Sequence, residues 1–418
     1  MRHLINRTSW VKKGLAVSVL GLMLSSAHAA SDQEQIAQLR QEVEALKALI
    51  QQQQQKVQLV ESKVENTTSA SAPKGGSLLS KAGASVNLYG FVRADAEYQF
   101  KGGDGIFNRI NNVDLSNAPK NDDRFYGTAK ATRLGLDFKA PVQGADVGGK
   151  IEIDFNNGTS ESVRIRHAYL NYNNWLIGQT TSTFLSTETQ PEMIDFGSPL
   201  GIGTKRTPQV RYADKIDGNT QYAVALEKGA DDNRFPAATA KLSHKLGNGI
   251  VNARVLAQEV RSRATDNATG FGWGVGLGAK FDIADQLTLF GDYSHVKGDN
   301  FYILYTDNPY KATSADDIDL TDFDAVTVGV TYKISPKLRS TLGYGAIFYD
   351  DKTLHGLKSS DGKLVDSNEK LQQGWLNIMY NPVKPITFGT EYVYGERETV
   401  SGAKGRDSRL GVMAKYDF

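Results

Sequence analysis

The chain has 418 residues, a formal net charge of +1 and no cysteine. The near-neutral balance leaves no electrostatic footprint for nucleic acid. The missing cysteines exclude thiolate metal sites and catalytic thiols.

Residues 1–29 read as a signal peptide. Arg2, Arg7, Lys12 and Lys13 form a basic leader, "GLAVSVLGLMLSS" is an apolar stretch of signal length, and Ala27-His28-Ala29 fits small-x-small cleavage. As a membrane anchor the apolar run is too short to span comfortably. Removing those four cations takes the net charge from +1 to -3.

Residues 30–65 carry heptads. Ile36, Leu39, Val43, Leu46, Ile50, Gln53, Val57, Val60 and Val64 alternate spacings of three and four, the a/d seam of a coiled coil. At about 1.5 Å per residue it would reach roughly 50 Å. Gln53 is its one polar core position. β-branched a positions with Leu at d suit dimers in the simple rule, so the seam alone does not specify three strands. A single amphipathic helix on a globular core is the alternative; the narrow stripe and Gln-rich flanks disfavour it. A Ser/Ala/Gly/Pro-rich linker follows over 66–84.

From Ser85 the period changes to two. In "VNLYGFVRADAEYQF", Leu88, Val92, Ala94, Ala96, Tyr98 and Phe100 share one face, opposite Arg93, Asp95, Glu97 and Gln99. Such strands separate a greasy medium from a wet one. Sixteen segments repeat the pattern, starting near 86, 126, 148, 163, 175, 208, 219, 237, 249, 270, 286, 325, 337, 370, 385 and 407. Every second connection is tiny, as at Asn173, Asp217 and Ser335. Those between include long ones at about 101–125, 181–207, 297–324 and 350–369, expected on the cell exterior. Unequal ends and an even strand count predict an all-β transmembrane barrel of 16 antiparallel strands over 85–418, both chain ends on the periplasmic side. A soluble sandwich or β-helix would seldom keep one apolar face through sixteen strands. Hydrocarbon penalises unpaired backbone groups, so the sheet must close. The last segment, "RLGVMAKYDF", is then a closing stave, and Phe418 is also expected to serve barrel assembly, as in outer-membrane proteins generally.

Several stretches resemble known porins. "LYGFVRADAEY" and "TRLGLDF" resemble the first two strands of Gram-negative trimeric porins. "VRIRHAYLNY" with "WLIGQTTSTF" resembles the pair leading into their constriction loop. With the heptads, the chain resembles the DcaP-type dicarboxylate porins. The resemblance implies a homotrimer in the outer membrane, in contact with its lipid and lipopolysaccharide. It also implies a periplasmic coiled coil and diffusion of small, mainly anionic solutes such as succinate and aromatic dicarboxylates. Whether the coil only trimerises or also binds a periplasmic partner stays open.

A sixteen-stranded barrel leaves an aqueous lumen, so selectivity depends on what narrows it and which charges line it. The loop at 181–207 is long enough to fold inward; it carries Glu188, Glu192, Asp195, Lys205 and Arg206. Strand parity points Arg93, Arg133, Arg211, Arg254, Arg339 and Arg409 into the lumen, where guanidinium would bind carboxylates through paired bonds. The plainer reading pairs each with a lumen acid such as Asp95, Glu97 or Asp137. Arg164 and Arg166 share parity with the outward Ala168 and Leu170. Either a bulge intervenes, the reading preferred, or they sit at the extracellular rim or a subunit interface. Glycines at period two in "GWGVGLG" read as a smooth lumen wall, without the spacing of a dinucleotide fingerprint. His167, His244, His295 and His355 show no metal spacing, no cofactor is expected, and no serine is tied to a histidine for a barrel hydrolase. A non-conducting anchor or adhesin working through its coil is the other alternative.

Overall fold

A computed structural model describes residues 78–79, 83–117, 119–142, 144–157, 162–197, 199–350 and 367–418. The signal segment 1–29, the heptads of 30–65, nearly all of the linker and most of the 350–369 loop lie outside the described residues.

One antiparallel sheet closes on itself. Its staves are β1 (Ser85–Lys101), β2 (Arg124–Thr128 and Arg133–Val142), β3 (Ala145–Asp154), β4 (Arg164–Tyr172), β5 (Trp175–Thr181), β6 (Arg206–Lys215), β7 (Thr220–Glu227) and β8 (Ala237–Leu246). They continue as β9 (Gly249–Ser262), β10 (Ala268–Ala284), β11 (Leu287–Lys297), β12 (Asp322–Ser335), β13 (Leu338–Tyr349), β14 (Asn368–Tyr380), β15 (Ile386–Thr399) and β16 (Lys404–Asp417). All sixteen expected segments are present. Closure is between β1 and β16, in register from Phe91 opposite Asp417. Beyond that pair, Gly90 N donates to Phe418 O at 3.1 Å and Phe418 N to Gly90 O at 3.0 Å. The final residue therefore completes the ladder. A Cβ at Gly90 would lie 2.3 Å from the Arg133 carbonyl oxygen, so only glycine lets β1 and β2 approach there.

The alternation of residue type becomes an alternation of environment. Leu88, Val92, Ile151, Ile177, Leu226, Leu277, Val328 and Leu410 are all exposed on the outer wall, where lipid replaces water as the solvent. Their neighbours Glu152, Gln209, Glu227, Asn252 and Thr327 are buried inside. Polar residues are the buried ones, the reverse of a soluble sheet.

The long-end connections L1 (102–123), L3 (182–205) and L6 (298–321) account for much of that burial. Phe184, Leu185 and Leu200 of L3 pack with Ile110 and Val113 of L1, with Tyr302, Ile303 and Tyr305 of L6, and with Ala325 and Ile347 of the wall. L6 thus corrects the reading that 297–324 lies wholly outside. Tyr302 and Ile303 are essentially inaccessible, Ile318 and Leu320 of the distal hairpin pack on Val260, and only its tip at 312–317 is exposed. "NFYIL" supplies apolar surface that L3 leaves uncovered, so the loop turns inward.

Candidate functional site

L3 leaves β5 after only seven residues and crosses to the far wall on hydrogen bonds. Thr183 N donates to Glu227 on β7 (2.7 Å), Asn252 on β9 to Ser186 (2.8 Å), and Thr189 to Asp292 on β11 (3.0 Å). The Glu192 carbonyl accepts from Trp375 Nε1 (2.9 Å) and Asn377 (3.1 Å) on β14. The amides of Ile194 and Asp195 both donate to the Glu391 carboxylate on β15, each at 2.8 Å. Leu200 O accepts from Thr327 on β12 at 2.5 Å. The loop is held from β7 to β15, which makes it a transverse partition, as the sequence suggested for 181–207.

Absence of side chains fixes how close it sits. A Cβ at Gly345 would lie 2.1 Å from Leu200 O, and one at Gly329 would lie 2.5 Å from Pro191. Gly274 faces the Phe184 ring and Gly389 faces Ile194. Gly274 and Gly278 of "GWGVGLG" are therefore no bare wall: facing Phe184 and Thr189, they join Gly329, Gly345 and Gly389 as the seat of L3, while Gly276 of the same stretch faces Arg254.

On the side of L3 toward β1–β6 an open cavity of about 300 Å³ remains, with Arg93, Arg109, Lys130, Arg133, Arg164, Arg166 and Arg206 in its lining and Asp195 as its one carboxylate. A bulge brings in two of them. The β3–β4 register shifts between Glu152 and Ile153, which pair with His167 and Ile165 and leave Arg166 as the extra residue. Arg164 and Arg166 both face the lumen as a result, the outcome preferred from sequence. Arg164 binds Asp154 through two bonds (2.9 and 2.6 Å). Arg166 reaches Glu152 (2.7 Å) and Asp154 (2.8 Å). Arg133 is 3.4 Å from Glu152, and Arg93 holds Asp95 and the Ile194 carbonyl. Arg109 and Arg206 have no carboxylate partner at ion-pair distance among the described residues. Among the described residues, the buried Nε groups of Arg133 and Arg206 have no hydrogen-bond acceptor.

Two phenyl rings complete the cluster. Phe196, from L3, lies 5.5 Å from the Arg93 guanidinium and 5.8 Å from those of Arg133 and Arg166. Phe107 of L1 lies 6.0 Å from Arg93 and 5.8 Å from Lys130. The guanidiniums of Arg93, Arg133 and Arg166 thus gather around the Phe196 ring within cation–π range. Sequence reasoning passed over Phe107, Phe196, Arg109 and Lys130. The lone aromatic in "EMIDFGSPLG", between acids and glycine, was the available signal.

The remaining candidates scatter. Arg254 is closed by Asp292 (2.8 Å), and Arg339 by Glu192 of L3 (2.7 and 2.8 Å). Arg409, fully buried, meets Glu97, Asp195 and Asp407. Asp195 is thus an anchor of the loop tip. Glu188 pairs with Lys241 at 3.2 Å. Arg206, grouped with the loop in the sequence reading, is the first residue of β6. Arg211 lies well below, in a second cavity toward the short turns. Lys205 stacks on Tyr302 at 4.0 Å and donates to Asn300 O; burial lowers its ammonium pKa, opposed by Asp299. Asp299 caps the L6 turn, accepting from the amides of Tyr302 and Ile303, and burial pushes its carboxyl up to about 6.

The architecture and the sequence have relatives. A family model of the DcaP outer membrane protein matches residues 21–418. The crystal structure of the outer membrane channel DcaP of Acinetobacter baumannii is 48% identical, covers 82% of this chain and 100% of its own, and gives a TM-score of 0.76. An anion-selective porin from Comamonas acidovorans is 12% identical with a TM-score of 0.55, covering 80% of this chain and 100% of its own. OmpT of Vibrio cholerae is 16% identical with a TM-score of 0.52, covering 82% and 100%. At those identities the last two show a shared fold alone. No curated protein matches the chain. The chain belongs to the DcaP outer membrane protein family, as a sixteen-stranded outer-membrane channel of the porin type.

Proposed function

We propose that this channel passes small hydrophilic anions in preference to cations, favours dicarboxylates, and selects them at the arginine cavity beside L3. The observation that carries the reading is the local imbalance: six guanidiniums and one ammonium line the cavity against one carboxylate. Behind them Glu152, Asp154 and Asp95 satisfy some but leave Arg109 and Arg206 open. A planar fork with free edges suits a carboxylate through two parallel bonds, and two forks across a small cavity suit two carboxylates. The overall charge is no guide, because at 0.1 M salt a charge beyond about 10 Å is screened. In the same reading 1–29 directs export, supported by its basic leader and small-x-small site, and 30–65 forms the periplasmic coil of a homotrimer, supported by the heptads and the family resemblance.

The test is a planar-bilayer recording in a salt gradient, with liposome flux of succinate and glycerol. The wild type should reverse at a potential favouring anions. The triple substitution Arg109→Gln, Arg133→Gln and Arg206→Gln spares the L3 anchors Arg93 and Arg409. It should move reversal toward cations and cut succinate flux about tenfold, the factor set by 1.4 kcal/mol, with glycerol flux little changed. A cation-selective wild type would sink the reading. Equal loss of both solutes would mean that the triple closes the pore.

A further inference from the structure

A second cavity lies on the short-turn side of L3, within the same wall. It is larger, about 570 Å³, and takes in staves from β2 to β8. It exists because the lumen residues there are small: Gly148, Ala213, Ala223 and Ser243 leave the inner face unfilled. Cations reach it from separate strands: Lys139 of β2, Arg211 and Lys215 of β6, and Lys241 of β8.

Three of the four, Lys139, Arg211 and Lys215, have no ion pair among the described residues. Lys241 is held by Glu188 at the underside of L3 (3.2 Å). Asp214, one of two acids in the lining, is engaged by Tyr212 OH (3.0 Å) and the Lys215 amide (2.8 Å); the other, Asp146, is exposed near the turn. Arg211 has no ion pair or hydrogen bond among the described residues. A half-buried guanidinium with five donors, no partner and an empty space before it is built to meet an acceptor from solution. Arg206 and Arg211 are five residues apart on β6, roughly 17 Å at strand rise. That is beyond the screening length of about 10 Å at 0.1 M salt, so the two sites act as separate wells.

We propose that Arg211, with Lys139 and Lys215, forms a second anion station at the short-turn mouth of the pore, for the same small carboxylates that the upper cavity admits. Selective conduction needs binding strong enough to admit an ion and distributed enough to release it. A single deep well of guanidiniums above L3 would hold a dianion; a shallower well below gives it somewhere to go. The station rests on the anion-channel reading, and its test separates the two.

Full-length channels inserted in one direction are recorded with chloride as the carrier, and succinate is added to either side as a blocker. Substituting Arg211→Gln, Lys139→Gln and Lys215→Gln together should slow succinate entry from the short-turn side by about tenfold, the lower range of electrostatic steering. Entry from the long-loop side should change little. Arg211→Lys should keep most of the wild-type rate. Side-independent slowing, or no slowing from the short-turn side, would overturn the station while leaving the upper cavity intact. A wild type that excludes anions from both sides would overturn the channel reading itself.

Discussion

The two halves of the barrel differ in how completely their arginines are neutralised. On β9–β16, each lumen arginine picked out from sequence is closed by carboxylates: Arg254 by Asp292, Arg339 by Glu192, and Arg409 by Glu97, Asp195 and Asp407. On β1–β6, Arg93, Arg164 and Arg166 are paired too, but Arg206 and Arg211 have no carboxylate at ion-pair distance among the described residues, and Arg133 shares Glu152 with Arg166. Arg339 and Arg409 bolt L3 to the wall and Arg254 holds the Asp292 that receives Thr189 of L3, whereas Arg206 and Arg211 face open space. The field in a lumen therefore follows the excess of unpaired charge at each depth, and a count of inward arginines overstates it.

Separating the two roles calls first for removing a bolt. Arg254→Met leaves Asp292 buried with only Thr189 as a hydrogen-bond partner. Breaking one side of a buried pair costs about 3–5 kcal/mol, whereas replacing both partners with apolar residues is often neutral. The single variant should unfold at a markedly lower temperature on heat-shift gels, and Arg254→Met with Asp292→Leu should recover most of it. The reversal potential of the double variant should match the wild type. A large shift toward cations would place Arg254 among the selecting groups.

That division was not legible in the sequence, though the barrel was. Period-two alternation fixes which face of each stave is wet, so all sixteen segments and the inward loop could be placed. Parity is blind to what stands across the lumen. Arg254 and Asp292 lie on different staves with another between them, and Arg339 meets Glu192 only because L3 runs to β14. The bulge at Arg166 was readable because two arginines broke parity with Leu170. The inward turn of L6 was not, because its burial depends on L3 being there first.

The glycine seat sets L3 apart from the rest of the wall. Gly345→Val would press a side chain into Leu200 O, where even a Cβ comes within 2.1 Å. Overpacking of this kind costs about 1–3 kcal/mol, enough to lift L3 from Thr327 without unfolding the barrel. Unitary conductance should rise and anion preference fall. Gly374→Val is the control: a Cβ there meets only Gly343 O at 3.6 Å, so conductance should stay at wild type. If Gly345→Val conducts as the wild type does, L3 is not what narrows the pore.

The smallest effect should come from Phe196, which carries no charge. Its ring lies 5.5–5.8 Å from three guanidiniums, and such contacts are worth about 0.5–1 kcal/mol each where water reaches them. Phe196→Ala removes the surface on which the forks are aligned and leaves every charge in place. The sign of selectivity, which follows charge, should survive, and the reversal potential should move far less than in the arginine triple. Block by succinate should weaken by roughly the three- to fivefold that 0.7–1 kcal/mol implies, because the forks lose their common orientation. Phe196→Leu keeps the bulk and loses the ring face, so it should behave like alanine if the ring orients the cations. Wild-type block with leucine would mean that packing against Phe107, 6.0 Å away between ring centres, is what matters. A reversal shift as large as the triple's would mean that Phe196 holds the loop rather than the arginines.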